Sequence, residues 1–353
     1  MKKIILGFSI LMMSSLAITS CSKDDDSPTQ QPTPESTYVV KNTGSAGVTS
    51  VTDTNDTNPL GIAQAVPSVS NQVYPSNIPL LFFFNDKILL SSITPENFIV
   101  TENNQKVGGT IAINEASNGF AIFTFTPKKA FASNANIKVT LTTAMKDDAG
   151  LGLQSDYVLE YQTSAATTTN FNGNLGFESG NSGVSFIGDG NILTGAQGCV
   201  NPFGSNFGAI TSGSHLISSN DAIGGASSMM FVGPISATNL TSLSFKYNFL
   251  STEFQEFVGS EFDDSFMVIV VGANGAHSEF ITSVNTIGTA GNTQCIGFPG
   301  LPDTGDGYAG STDWLTKTLN FSNLGDQVYV VFIVTDVSDE IYSSVVCVDD
   351  ITL

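Results

Sequence analysis

The chain contains no arginine: its 12 basic residues are all lysine, set against 32 acidic ones, for a formal charge of −20 over 353 residues. Recognition of phosphate and guanine uses arginine forks and a clustered positive face, so nucleic acid is excluded as a partner. Charged residues of either sign make up only 12% of the chain, and there are two histidines and one tryptophan. His215, in Gly213-Ser214-His215-Leu216, and His277 come with no Gly-x-Ser-x-Gly elbow or other nucleophile signature. Both read as ordinary surface or strand histidines. No Cys-x-x-Cys pair occurs among the four cysteines, which excludes a cysteine zinc site.

What is abundant is glycine (34) and phenylalanine (25), with many serines, threonines and asparagines and few helix formers. That composition favours short strands joined by turns. The length leaves room for two medium domains, each with its own core. A strongly acidic surface fits an extracellular protein kept soluble by self-repulsion, and it offers carboxylates to divalent cations.

Lys2 and Lys3 followed by the apolar run Ile4 to Leu16 predict a secretory signal over residues 1–20. Ile18-Thr19-Ser20-Cys21 resembles a bacterial lipobox, and Ser22-Lys23-Asp24-Asp25-Asp26 resembles the acidic export tag of Bacteroidetes lipoproteins. The resemblance implies a lipid on Cys21, anchorage in the outer membrane and an outward-facing chain. Residues 21–60 read as a flexible linker, with Ser27 to Pro34 rich in Pro, Thr and Gln. Asp53-Thr54-Asn55-Asp56-Thr57 has some letters of a calcium loop but lacks its glycine and terminal glutamate, and is assigned to the linker.

From 61 to 163 the apolar residues alternate: Leu80, Phe82 and Phe84, then Phe120 to Phe125, then Ile137, Val139 and Leu141. Turn letters separate these runs, which predicts a β-sandwich. Pro67, Ile78 to Asn85, Asn97-Phe98, Phe125-Thr126-Pro127 and the closing Lys146-Asp147-Asp148-Ala149-Gly150 resemble a bacterial Ig-like domain of the S-layer type. In that family such domains are spacers or presentation modules. Thr163 to Thr169 reads as a polar hinge.

Residues 171–353 hold further strand-like runs, at 243–250, 266–271, 328–334 and 344–348, without a helical apolar period. The opening Asn174 to Gly180 and the closing Val348-Asp349-Asp350-Ile351 resemble the first and last strands of jelly-roll modules with a galactose-binding-like fold. The stretch 248–266 resembles secreted domains found beside varied surface anchors. The expected fold is therefore all-β: an N-terminal Ig-like β-sandwich followed by a jelly-roll β-sandwich.

Four groups of residues carry candidate chemistry. Cys199 and Cys295 lie in Gly/Asn-rich loop sequence while Cys347 sits in an apolar run, so a Cys199–Cys295 disulfide is the expected pairing in an oxidising compartment. Glu178 with Asp349 or Asp350, and nearby backbone carbonyls, would join the two ends of the second domain through calcium, as in the resembled carbohydrate-binding modules; adjacent strand residues face opposite ways, so only one of the two aspartates can point into the site without a bulge. Glu253, Glu256, Glu261, Asp263 and Asp264, with Asp336 and Asp339, form a second candidate cation site. Trp314, with Tyr308 and Tyr342, would stack on a sugar ring; the competing assignment places Trp314 in a strand core or edge. Leu301-Pro302-Asp303-Thr304-Gly305 matches a sortase motif by letters only and reads as a loop.

These features predict a non-enzymatic surface lipoprotein presenting a calcium-stabilised module for a glycan or other surface polymer. A protein-contacting adhesin or envelope-assembly protein is the structural alternative. A polysaccharide hydrolase using Glu256 or Asp264 is the enzymatic one.

Overall fold

A computed structural model describes residues 37–353 except 43–44, 68–69, 72, 77, 116–120, 166–173, 223–226, 289–292, 300, 302–308 and 338–341. The leader, Cys21, the acidic tag, Tyr308, Asp339 and most of the expected hinge and sortase-like loop lie outside the described residues.

Twelve strands build the first sandwich: β1 Tyr38–Asn42, β2 Gly47–Val48, β3 Ile62–Val66, β4 Val73–Pro75, β5 Leu80–Phe84, β6 Ile88–Leu89, β7 Phe98–Glu102, β8 Gln105–Lys106, β9 Gly109–Glu115, β10 Ala121–Pro127, β11 Asn136–Leu141 and β12 Tyr157–Ser164. One sheet has the order β1-β9-β10-β5-β3, and the sheet facing it β4-β12-β11-β7-β8. Phe82 of β5 meets Phe98 and Tyr157 of the facing sheet edge-on, at ring separations of 5.9 and 6.1 Å. Such tilted aromatic pairs satisfy the ring quadrupoles while filling the space between sheets.

The linker expected over 21–60 is shorter than its composition suggests. Tyr38–Asn42 is a strand, paired parallel to β9. Its Tyr38 ring lies 5.6 Å from Phe98 and 5.8 Å from Phe125, and burial pushes its pKa up to about 12. Ala46 and Leu60 are buried, and Thr52 donates its backbone N–H to Asp148 O at 2.8 Å. Five residues flanked by polar letters carry too little pattern to read as a strand; the free edge of β9 supplies the pairing.

The second sandwich contains β13 Val184–Ile187, β14 Gly190–Thr194, β15 Asn206–Thr211, β16 Ser227–Ser236, β17 Ser242–Ser251, β18 Ser265–Gly272, β19 Gly275–Ser283, the single helical turn α1 Val284–Ile287, β20 Thr293–Cys295, β21 Ala309–Ser311, β22 Leu315–Asn320, β23 Gln327–Thr335 and β24 Ser344–Thr352. Its inner sheet has the order β13-β16-β23-β18-β19 and its outer sheet β14-β15-β24-β17-β21-β20, with β22 also on β17. Successive strands cross between the two sheets, as in a jelly roll. Among the described residues no helix is long and apolar enough to cross a membrane.

The strands of the inner sheet are buried on both faces, and the alternation sorts their side chains into two cores. Met230, Val232, Val268, Val270, Val330 and Phe332 belong to the jelly-roll core. Their neighbours Met229, Phe231, Ile269, Val271, Val331 and Ile333 belong instead to one cluster with Leu81, Phe83 and the rest of the Ig-like core. Four sheets are thus layered, with apolar contact between every pair of neighbours. A strand covered on both faces reads as an unbroken apolar run, which accounts for Val328 to Val334. The β18–β19 turn completes this junction: Asn114 Oδ1 of β9 accepts Ala276 N–H at 3.0 Å, and Lys41 Nζ donates to Asn274 Oδ1 at 3.3 Å.

Candidate functional site

The outward face of the outer sheet carries a third, smaller core. Phe207, Ala209, Leu250, Val345 and Cys347 point away from the jelly-roll interior and are covered by Val200 from the loop before β15, by Cys295 at the end of β20 and by Phe298 just after it. A disulfide joins the loop before β15 to the end of β20 at Cys199–Cys295, across a sequence separation of 96 residues. Cys347 is a free thiol within this core, and burial raises its pKa well above the usual thiol value.

The loop between Cys199 and β15 is held from beneath by two carboxylates. Asp349 Oδ2 accepts Phe203 N–H at 2.8 Å, and Glu178 Oε1 accepts Ser205 and Asn206 N–H at 2.7 and 3.1 Å. A Cβ at Gly204 would stand 2.1 Å from Glu178 Oε1, so a side chain here would push that carboxylate from the Ser205 and Asn206 N–H groups it holds. The two ends of the second sandwich are therefore brought together, with backbone N–H groups between the acids. Asp350 is not part of this arrangement: the bulge between Ser244 and Lys246 gives it φ +50° and turns it to solvent. Among the described residues no third acidic, histidine or cysteine ligand atom converges on Glu178 and Asp349.

Burial pushes the Asp349 carboxyl up to about pH 6; the Phe203 and Asp350 N–H bonds oppose the shift, and the Asp350 and Glu178 charges add to it. A folded-state pKa above the ordinary 3.8 means the native protein holds this proton more tightly than the unfolded chain. The destabilisation from Asp349 is absent below about pH 4, grows as pH rises through 6 and is complete above it. The melting temperature should therefore gain more on going from pH 7 to pH 5 in the parent protein than in Asp349→Asn. Equal gains in both would remove this assignment.

Above the loop, Phe203 is 53% exposed and packs edge-on against Trp314 at 5.3 Å. Trp314 is half-buried: its ring meets Phe207 at 6.2 Å, and its Nε1–H donates to Asn201 O at 2.8 Å. The segment before it is pinned by Ser311 Oγ donating to buried Asn248 at 2.8 Å and by Thr293 Oγ1 donating to Asp313 at 2.7 Å. Lys246 Nζ lies 5.1 Å from the Phe203 ring centroid and donates to Thr316 Oγ1 at 3.0 Å. An apolar ring pair with an ammonium beside it is the result. Phe203 carries no distinguishing sequence signal; Asn201-Pro202-Phe203-Gly204 reads as a turn.

Tyr342 is not part of this platform. It packs on Phe257 at 5.2 Å, which packs on Phe262 at 5.5 Å. The acidic stretch around them divides by burial. Glu256 and Glu261 are exposed, and Asp263 Oδ1 accepts Asn285 N–H at the α1 turn. Glu253, Asp264 and Asp336 are buried at one end of the sandwich, where Asp264 accepts Ser212 Oγ at 3.2 Å and Val337 N–H at 2.9 Å. The phenylalanines cause the split: Phe254 inserts next to Phe249 and carries Glu253 inward with it, while the intervening turn stays outside. His215 pairs with Asp221 at 3.1 Å and His277 lies 3.7 Å from Glu279.

Residues 56–163 match the bacterial Ig-like domain family. The Ig-like match begins within the 21–60 stretch assigned to the linker, in line with the packing of Leu60 and the 52–56 segment. No curated protein matches the chain. Among solved structures, TmCBM61 in complex with β-1,4-galactotriose is similar over 52% of this chain and 96% of its own, at 10% identity and a TM-score of 0.29. A carbohydrate-binding module specific for non-crystalline cellulose is similar over 50% and 89%, at 12% identity and 0.30. The K3 cleaved adhesin domain of Lys-gingipain from Porphyromonas gingivalis is similar over 50% and 97%, at 14% identity and 0.25. Likenesses this loose carry no statement about a ligand.

Proposed function

We propose that the protein is a non-catalytic lipoprotein, anchored through Cys21 to the outer membrane with its sandwiches outside the cell, and that the second sandwich binds a glycan or similar surface polymer on the Phe203–Trp314 platform. The carrying observation is that the loop is fixed by Glu178, Asp349 and the disulfide, yet leaves a large apolar ring in water beside a lysine. A held, solvent-facing aromatic loses little freedom when a sugar face stacks on it. Calcium stays part of this reading, with the buried Glu253, Asp264 and Asp336 offering oxygen donors, although among the described residues their carboxylates do not converge on one point. Against hydrolysis stands Asp264, which is fully buried and cannot meet a polysaccharide.

The test is a glycan array followed by titration of the full chain. Phe203→Ala should weaken binding roughly tenfold, the equivalent of one aromatic contact, with the melting temperature unchanged. Trp314→Ala should abolish binding. Unaltered glycan affinity in Phe203→Ala would sink the platform, and an array with no bound glycan would favour the adhesin alternative.

A further inference from the structure

Three aspartates from distant parts of the first sandwich converge at one of its ends. Asp56 comes from the segment before β3, Asp86 from the turn after β5 and Asp147 from the turn after β11. Each contributes a carboxylate oxygen, and these oxygens all lie within 4.8 Å of one another. That separation suits oxygens arranged around one calcium ion, which stands about 2.3–2.6 Å from each ligand.

How each carboxylate is held shows which oxygen is left over. Asp147 Oδ1 accepts Ala149 and Leu151 N–H at 3.0 and 2.7 Å, closing the 147–151 turn. Its Oδ2 has no hydrogen-bond partner, although the residue is 0% exposed. Asp56 is built the same way: Oδ1 accepts Asn58 N–H and Nδ2 at 3.0 and 3.1 Å, and the buried Oδ2 is unpartnered. Asp86 Oδ1 takes Lys87 N–H at 2.7 Å. A buried carboxylate oxygen without a donor is costly, and two of them side by side repel as well. Burial and the neighbouring carboxylates raise the pKa of Asp86 and of Asp147.

Among the described residues no lysine pairs with Asp56, Asp86 or Asp147. Among the described residues the nearest ion pair is Lys87 with Asp148, at 4.0 Å, and Asp148 Oδ2 also accepts Thr52 Oγ1 at 2.8 Å. Asp148 is thus turned to its own partners, leaving Asp56, Asp86 and Asp147 to face one another. All-oxygen donors of this kind select a hard cation.

We propose that Asp56, Asp86 and Asp147 form a divalent-cation site, for calcium, at the end of the first sandwich. Backbone carbonyls and water complete the shell. The ion ties the segment between β2 and β3, at Asp56, to two turns of the sandwich. The site is separate from the glycan platform and from the acidic end of the second sandwich, and it stands whether or not those readings hold.

Crystals of the full chain soaked in terbium, and separately in calcium, test it directly. The expected result is an anomalous terbium peak within about 2.6 Å of Asp56 Oδ2 and Asp147 Oδ2. Ordered carboxylates with no peak, sharing a proton instead, would overturn the proposal. In solution, native mass spectrometry of the full chain over about 0.1–2 mM calcium, the range of extracellular calcium modules, counts bound ions. Asp56→Asn should carry one calcium fewer than the parent protein and keep its glycan affinity; an equal count in both also overturns the site. Asp147→Asn disturbs a turn that Oδ1 closes, so Asp86→Asn is the second variant, with the same loss of one ion expected.

Discussion

Ile269→Asp will destabilise the full chain by about 4 kcal/mol or more, a large part of the 5–15 kcal/mol that holds a typical domain together. Ile269 is fully buried on the face of β18 that meets the Ig-like domain, in one cluster with Phe83, Phe231 and Val331. Loss of its side chain forfeits the burial of an isoleucine and leaves a cavity. The introduced carboxylate has neither water nor a cation to meet there. Urea unfolding of the full chain measures the effect, with Val158→Asp as control. Val158 lies in β12 and is 45% exposed, so its substitution should cost less than about 1 kcal/mol. If the two variants unfold at the same urea concentration, the layer between the sandwiches does not stabilise the protein.

The second large effect is expected at Asp189, which has no part in the glycan platform or the cation site. Its carboxylate is fully buried and accepts four hydrogen bonds: Leu216 N–H at 2.5 Å, Ile217 N–H at 3.1 Å, Ser218 N–H at 2.7 Å and Ser218 Oγ at 2.6 Å. One side chain thereby closes the 216–218 turn against the start of β14. Asp189→Ala strands three backbone donors at once. At about 1–3 kcal/mol for each unsatisfied buried group, and with partial rescue by water, the expected loss is about 3–5 kcal/mol. Asp189→Asn keeps one acceptor oxygen but turns an amide donor towards donors, so it should recover less than half of that loss. Full recovery by asparagine would show that charge does not matter at this turn.

The all-β architecture is legible wherever one face of a strand meets a core and the other meets solvent, as in Asn136–Leu141 with its alternating burial. Legibility fails where that contrast vanishes. Leu80–Phe84 shows five consecutive apolar residues, and only packing distinguishes Phe82, which faces the opposite sheet, from Leu81 and Phe83, which lie on the other face. The run at 328–334 likewise signals a strand without signalling that its two faces serve different sandwiches. Tyr38–Asn42 is hidden for the reverse reason: its pairing comes from a partner some seventy residues away.

The candidate sites follow the same logic. Glu178 and Asp349 could be singled out because they open and close the second domain, and the structure brings them to one loop. What composition could not show is that they reach that loop to hold Phe203, Ser205 and Asn206 backbone groups. The acidic stretch looks uniform in sequence, yet burial of Phe254 separates Glu253 from Glu256 by the whole depth of the surface. Asp56 reads as linker because the residues contiguous with it lack the glycine and glutamate of a calcium loop. Its partners at 86 and 147 are distant in sequence and meet only in the fold.

The apolar layer shared by the two sandwiches also changes what counts as a module here. A cut made between residues 166 and 173 would leave Met229, Phe231, Ile269, Val331 and Ile333 on the bare outside of a jelly roll, a patch large enough to drive self-association. The Ig-like half would be left with its own uncovered strand face. Neither half can be moved into another gene as a soluble unit without new surface residues, so the exchangeable piece of this protein is the pair.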